Sequence, residues 1–327
     1  MKIAVTGANG HVGYNLCKSL LDKGFQVKAL VHKNTEAISK LELAMVKGDL
    51  ADKTSLLDLL DGVDVVFHLA AQISITGDPS GSVYRNNADG TRNMLSAAKD
   101  RNVKRVIHFS SIHAFRQDPQ DKSLDETRPL VGSEAFAYDR SKAEGERAVM
   151  EAAHNGMDAI VLSPTAIIGP ADPEPGLTGQ AVLQLLNHKI PALVPGGYNW
   201  IDVRDVVSTA ISAIEKARSG QKYLVAGKWH SVKELSACIS KNSGVKTVQT
   251  VLPFWSAKLG LPFITGYSKL TGSEPLYTKE SLEIIAKGSR HIDNSKSRLE
   301  LGLQPRPLDE TIRDLYIWFK ENNYLNK

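Results

Sequence analysis

Short, nearly continuous apolar runs alternate along the first half of the chain with longer stretches whose apolar residues recur at helical spacing. The runs predict strands over Lys2–Val5, Gln26–Val31, Ala44–Lys47, Asp64–His68, Arg105–Ser110 and Asp158–Ser163. The stretches between them predict helices over His11–Lys23, Lys53–Leu60, Val83–Asp100 and Ala135–Asn155. This alternation of strand and helix makes a parallel sheet with helices on both faces.

The pattern changes after Ser163. Proline and glycine crowd 164-PTAIIGPADPEPGLTG-179, which predicts a long loop leaving the sheet. A helix over Val203–Lys216 and a strand in 221-QKYLVAG-227 follow. From Ser231 on, helical patterns and proline-rich connections lead to an amphipathic helix near Leu308–Glu321. The expected fold is α/β: a doubly wound parallel sheet of the Rossmann type with a smaller, mixed α/β substrate lobe. The expected division assigns 1–165 plus about 200–227 to the nucleotide-binding domain. It gives about 166–199 plus 228–327 to the second lobe.

Composition narrows the function without naming it. The 40 Lys and Arg exceed the 36 Asp and Glu by four, and they are scattered, so no nucleic-acid partner is expected. A basic pocket for an anionic ligand would use the same charges. Cys17 and Cys238 are the only cysteines, which argues against a disulfide framework and fits a reducing compartment. No Cys/His cluster has metal-ligand spacing, so no metal is expected. The opening 1-MKIAVTGANG-10 lacks the apolar core of a signal peptide. The most apolar stretch, 251-VLPFWSAKLGLPFITGYSKL-270, is broken by two prolines and two lysines, so no membrane span is expected. The expectation is a cytoplasmic protein.

The first strand runs into 6-TGANGHVG-13. Gly7 suits a tight turn, Gly10 a close approach of backbone to a pyrophosphate, and Gly13 close packing of helix on strand. Asn9, His11 and Val12 complete this candidate phosphate cradle, at which a helix N-terminus offers free N–H groups. A glycine-rich turn with no ligand is the alternative. After the second strand, His32 and Lys33 stand where a carboxylate would select NAD, and Glu36 comes later. Two cations suit a 2′-phosphate, so NADP is expected over NAD, unless both side chains are merely solvated.

In 136-FAYDRSKAEGE-146, Tyr138 and Lys142 stand four apart and share a helix face. A tyrosine of ordinary pKa, about 10, is a poor base, and a neighbouring ammonium stabilises its phenolate. Alone, the stretch also reads as a solvated helix. Ser110 and Ser111 end the preceding strand, as catalytic hydroxyls or as simple caps.

Together these residues resemble the extended short-chain dehydrogenase/reductase family, the NAD(P)-dependent epimerase/dehydratase group. The matching motifs, in order, are 6-TGANGHVG-13, Asp49-Leu50 in 48-GDLAD-52, 65-VVFHLAAQ-72, 87-NADGTRN-93, 109-FSSIHAF-115 and 138-YDRSK-142. Further similarity in 162-LSPTAIIGP-170, 201-IDVRDV-206 and 298-RLELGLQPRPLDETI-312 extends it over nearly the whole chain. The resemblance implies that Asp49 bonds the adenine amino group and that Leu50 packs on the ring. Leu69, Ala70 and Ala71 would line the ribose side, with Pro164 and Ile167 also at the cofactor. Asn87 would brace the active-site helix, although a surface amide is the alternative reading. Lys142 would bond the nicotinamide ribose. Distance to Phe115 points to Ser111 as the catalytic serine, leaving Ser110 to face the cofactor or pack.

Two departures shape the substrate expectation. Dehydratases of the group carry Thr-Asp-Glu where this chain has Ser111-Ile112-His113, so that acid/base pair is missing. Nucleotide-sugar enzymes resemble Arg-Asp-Phe where Tyr198-Asn199-Trp200 stands, which removes a diphosphate clamp. Tyr198, Trp200 and the apolar residues Leu252, Phe254, Trp255, Leu259, Leu261, Phe263 and Ile264 suit a pocket for an apolar or ring-bearing body, or else the core of the second lobe. The expected activity is NADP-dependent reduction of a carbonyl on a small molecule, in the manner of dihydroflavonol reductases. A sugar epimerase that retains its cofactor is the alternative, and a non-catalytic dinucleotide sensor a third. His113 would touch substrate or simply pack. The resemblance further implies a homodimer through helices Val83–Asp100 and Ala135–Asn155. Asp139, Arg140, Glu144 and Glu146 are expected on the solvated face.

Overall fold

The computed structural model describes residues 1–32, 35–257 and 277–325. The strands are β1 (Lys2–Thr6), β2 (Gln26–Val31), β3 (Ala44–Lys47), β4 (Val65–His68), β5 (Arg105–Phe109), β6 (Ala159–Pro164), β7 (Ala166–Ile168), β8 (Gly197–Asp202), β9 (Lys222–Val225) and β10 (Lys228–Ser231). Seven form one sheet in the order β3-β2-β1-β4-β5-β6-β9, every neighbouring pair parallel. The winding reverses between β1 and β4. A crevice therefore opens at the carboxyl ends of these two strands, where such sheets bind ligands.

Side chains alternate across the sheet because the strand period is two. Ile3, Val5, Val65 and Phe67 enter one core with α1 (His11–Asp22) and a later helix over Val203–Lys216. Ala4, Val66, Val106 and Val161 enter the other. That second face is covered by α2 (Lys53–Leu60), α4 (Gly90–Asp100) and α5 (Ala137–His154). Before α4, a short α3 (Ser82–Tyr84) widens into a π turn over Arg85–Asp89. Each fully buried Ile, Leu or Phe contributes roughly 1.5–3 kcal/mol. The sheet is thus a stiff base, and its carboxyl-edge loops are left to carry chemistry.

The segment after Ser163 is more ordered than its prolines and glycines predict. Pro164 still belongs to β6, and Ala166–Ile168 forms β7, which pairs with β8. A helix α6 (Leu177–Leu186) follows. Long-range pairing with β8, invisible to local pattern, recruits the β-branched pair Ile167-Ile168. The small sheet runs β10-β8-β7, so Trp200–Asp202 lie in it, while the helix that follows, α7 (Val203–Lys216), packs on the large sheet. Helices α6, α8 (Val232–Ser243) and the last helix (Leu308–Glu321) enclose a separate apolar cluster around Leu185, Ile239, Leu315 and Phe319. Between them stand α9 (Lys279–Lys287) and α10 (Ser295–Leu301), so the last is α11. Of the apolar residues in 251–270, Leu252 and Trp255 are exposed, and Leu259, Leu261, Phe263 and Ile264 lie outside the described residues.

Candidate active site

The glycine turn sits at the mouth of the crevice. Gly7 takes φ +73°, and a Cβ there would meet the Ala70 amide nitrogen at 2.8 Å. A Cβ on Gly13 would lie 2.0 Å from the Gly7 carbonyl oxygen, so α1 packs on the turn only because this residue has none. Gly10 is exposed, and its absent Cβ would make only an ordinary 3.5 Å contact. It precedes α1 in extended conformation, with no side-chain cap and no acidic residue in the first helical turn. An uncapped, acid-free helix start beside a bare glycine fits a dinucleotide pyrophosphate.

The neighbouring candidates take distinct places. Thr6 Oγ1 accepts from the Ala70 N–H at 3.1 Å and contacts His68 Nδ1 at 2.9 Å, tying the ends of β1 and β4 together. Leu69 and Ala70 are half-buried and Ala71 is exposed along that exit. Asn9 is half-buried in the turn, and Val12 packs against the core. His11 contacts the Pro170 carbonyl through Nε2 at 3.0 Å and lies 3.8 Å from Asp172. It braces the loop that leaves β7. Pro164 ends β6, and Ile167 packs against the large-sheet core. Leu50 packs beneath Gly90, where a Cβ would stand 2.8 Å from its Cδ1. Asp49 accepts the Ala51 N–H at 2.8 Å and pairs at 3.4 Å with His32. Lys33 lies outside the described residues.

The proposed proton-transfer residues converge. The Ser111 hydroxyl is within hydrogen-bonding reach of Tyr138, near the start of α5, and also accepts the His113 N–H at 3.2 Å. Lys142, 4% exposed, donates to the Phe109 carbonyl oxygen at 2.5 Å. The electrostatics differ from the simple expectation. Burial pushes the Tyr138 hydroxyl up to about 12, with the Ser111 hydrogen bond opposing and Asp139 adding to the rise. Burial also pulls Lys142 down to about 8, against the charge of Glu146. Desolvation outweighs any help the ammonium gives the phenolate, so Tyr138 holds its proton at neutral pH.

Asn87 braces this arrangement. The π turn presents its side chain to two partners: the Gln72 backbone, bonded at 2.7 and 2.9 Å, and Ser141 Oγ, reached at 2.9 Å. Ser141 in turn donates to the Tyr138 carbonyl at 2.7 Å. Beneath α5, His68 and His108 are paired in register and stand ring to ring at 5.3 Å. Burial holds His68 neutral, down to about 3, and His108 well below its ordinary value.

Two residues expected on the solvated face are buried. Glu146 is fully buried, and its Oε2 accepts from Ser110 at 2.6 Å. Asp139 is 9% exposed and raised to about 7 by burial and by Glu280, itself raised to about 7 by burial. The helix is covered on more sides than its charge suggests, because α9 and the large sheet both approach it. The spacing from Tyr138 through Lys142 to Glu146 was the available signal for Glu146. Nothing local pointed to Glu280, Ser141 or Gln72.

A cleft between the β5 exit and the second lobe is lined by Ile112, His113, Gln117, Tyr198, Asn199 and Ser289, among others. Burial lowers His113 to about 4, so it faces this cleft as a neutral ring. Tyr198 is on the wall, whereas Trp200 is only 8% exposed, donates to the His230 carbonyl and belongs to the small-lobe core. Among the described residues no arginine or lysine lines the cleft, none of their groups suits a metal ion, and no helix is long and apolar enough to cross a membrane.

Known proteins resemble this chain in sequence or in fold. "Sterol demethylase protein B" of Methylococcus capsulatus is 31% identical over 99% of this chain and 100% of its own. A "putative dihydroflavonol 4-reductase" of Synechocystis is 31% identical over 98% of this chain and 95% of its own. The crystal structure of a nucleoside-diphosphate-sugar epimerase from Pseudomonas aeruginosa superposes with a TM-score of 0.80 at 23% identity, over 100% of this chain and 99% of that one, a likeness of fold. The model of the NAD-dependent epimerase/dehydratase family matches residues 3–226. With the glycine turn, the doubly wound sheet and the tyrosine helix in place, the chain belongs to the NAD-dependent epimerase/dehydratase family, the extended short-chain dehydrogenase/reductases, and is an enzyme of that type.

Proposed function

We propose that the protein is an NADP-dependent reductase that converts a carbonyl group of an uncharged, largely apolar small molecule to an alcohol, or runs the reverse oxidation. The observation that carries this reading is the Tyr138 hydroxyl within reach of Ser111, on the helix that also carries the buried Lys142. When bound, the nicotinamide cofactor supplies the hydride. Gly7, Gly10 and Gly13 would hold its pyrophosphate, Asp49 and Leu50 its adenine, and Lys142 its ribose. The Tyr138 hydroxyl gives its proton to the carbonyl oxygen as the carbon is reduced, and the Ser111 hydroxyl bonds the same oxygen. A tyrosine held protonated is the right acid for that direction.

His32 and Lys33 support NADP, since an imidazole N–H and a lysine ammonium can each donate to a 2′-phosphate. The neutral His113 and the cleft free of cations among the described residues support a substrate without a diphosphate. The sugar-epimerase alternative uses the same trio, but lacks a clamp for a nucleotide at Tyr198-Asn199-Trp200. The test is NADPH consumption against a panel of ketones, aldehydes and nucleotide sugars, repeated with NADH. Oxidation of NADPH by apolar ketones supports the reading. Conversion of nucleotide sugars without net NADPH use overturns it in favour of an epimerase.

A further inference from the structure

Glu146 has no part in the chemistry above, yet it is fully buried at the centre of the site. It follows Lys142 by four residues on α5, as Lys142 follows Tyr138, so the three share one face. Its Oε2 accepts from Ser110, which follows β5 and donates its N–H to the Leu162 carbonyl at 2.8 Å. Its Oε1 lies 3.6 Å from Lys222 Nζ on β9, a cation that also stands 4.9 Å from the Phe115 ring.

The charges around Lys142 give this placement meaning. From α5, Tyr138 is protonated; from β4 and β5, His68 and His108 are neutral. Among the described residues, Glu146 is the carboxylate whose charge favours the Lys142 ammonium. A buried ammonium bonded to one backbone carbonyl has lost most of its hydration and sheds its proton unless an anion shares its volume. Burial raises the Glu146 carboxyl above its ordinary range, and the Ser110 hydroxyl and the Lys222 and Lys142 ammonium groups oppose that rise by favouring its ionised form. An ionised Glu146 thus has one cation beside it on β9 and another one turn back on α5.

We propose that Glu146 is a positioning residue for the catalytic pair: its carboxylate is the counter-charge that keeps Lys142 an ammonium, and its bond to Ser110 fixes the strand end from which Ser111 projects. This rests on the reductase reading for its consequence in turnover, but not for its charge balance. The carboxylate therefore controls the upper pH limit of activity without touching substrate.

The test follows the ¹³Cε signals of lysine-labelled, ligand-free protein through a pH titration, with the Lys142 signal assigned by its loss in Lys142→Met. In the wild type it titrates near 8. Glu146→Gln moves it down by about half a unit or more. Lys222→Met, which removes a cation that favours the ionised form of the same carboxylate, moves it down as well. In turnover, the basic limb of the kcat/KM profile moves down in Glu146→Gln, and Glu146→Asp restores most of it. Should Glu146→Gln fail to fold, the Lys222→Met shift decides. A Lys142 transition that stays put in every folded variant reduces Glu146 to packing and overturns the proposal. If the wild type reduces no carbonyl but the titration still shifts, the reductase reading falls and the charge relationship stands.

Discussion

Ser110 and Ser111 are neighbours whose hydroxyls take different partners on α5: Ser110 donates to Glu146 at 2.6 Å, and Ser111 lies within reach of Tyr138. This division separates the two hydroxyls by partner, about two helical turns apart on one helix. It yields unlike phenotypes for the same change. Ser111→Ala should lower kcat by ~10²-fold with cofactor affinity kept. Ser110→Ala should instead lower the melting temperature, since it strips a buried carboxylate of its hydrogen bond at a cost of about 1–3 kcal/mol. Paired melting curves and steady-state kinetics check both.

Tyr138→Phe removes the proposed proton donor and its hydrogen bond with Ser111. Turnover should fall by ~10²–10⁴-fold, while NADPH still binds, as read by fluorescence titration. Turnover at the wild-type rate would remove Tyr138 from the chemistry.

Gly13→Ala asks for a methyl group 2.0 Å from the Gly7 carbonyl oxygen. The helix must shift away from the turn, costing about 1–3 kcal/mol as an overpacked contact. Cofactor affinity should fall by ~10-fold or more, the loss that 1.4 kcal/mol gives. Isothermal titration and thermal melting provide the readouts, and Gly176→Ala serves as the control for an unobstructed glycine at negative φ.

Asp139 and Glu280 both carry carboxyl pKa values raised to about 7. The folded chain therefore holds these protons at a pH where the unfolded chain has released them. Their contribution to stability is complete below about pH 4, the ordinary carboxyl range, and is lost as pH rises through 7. Wild-type melting temperature should fall more between pH 5 and 8 than that of Glu280→Gln, when the two are scanned side by side. Parallel pH dependence in the two proteins would dismiss the pair as a source.

Much of this was legible because the decisive features are local. A turn with Gly7 and Gly13, strands that are apolar on both faces, and a tyrosine and lysine one helical turn apart all announce themselves by spacing. Helix bounds such as Lys53–Leu60 and Val203–Lys216 agree residue for residue with the pattern. What escaped depends on contacts distant in the chain. Strand β7 exists because β8 lies beside it, more than thirty residues on. Glu146 reads as a surface charge until β9 brings Lys222 against it. Glu280 meets Asp139 only because the second lobe folds back over α5. A charged residue in a helix carries no local mark of the partner that will bury it.

The first helix is joined to the segment that leaves β7. Asn15 donates to the Ala171 carbonyl at 2.8 Å, and His11 contacts that of Pro170 at 3.0 Å. The wall of the nucleotide cradle is therefore also the root of the chain that enters the second lobe. A ligand that steadies α1 steadies that root, and the cleft beyond it is assembled on a part already held. The consequence is temporal rather than spatial: the two reactants are expected to add in a fixed sequence, nucleotide first and carbonyl compound second. Product-inhibition patterns report that sequence, and Asn15→Ala should loosen it towards random addition.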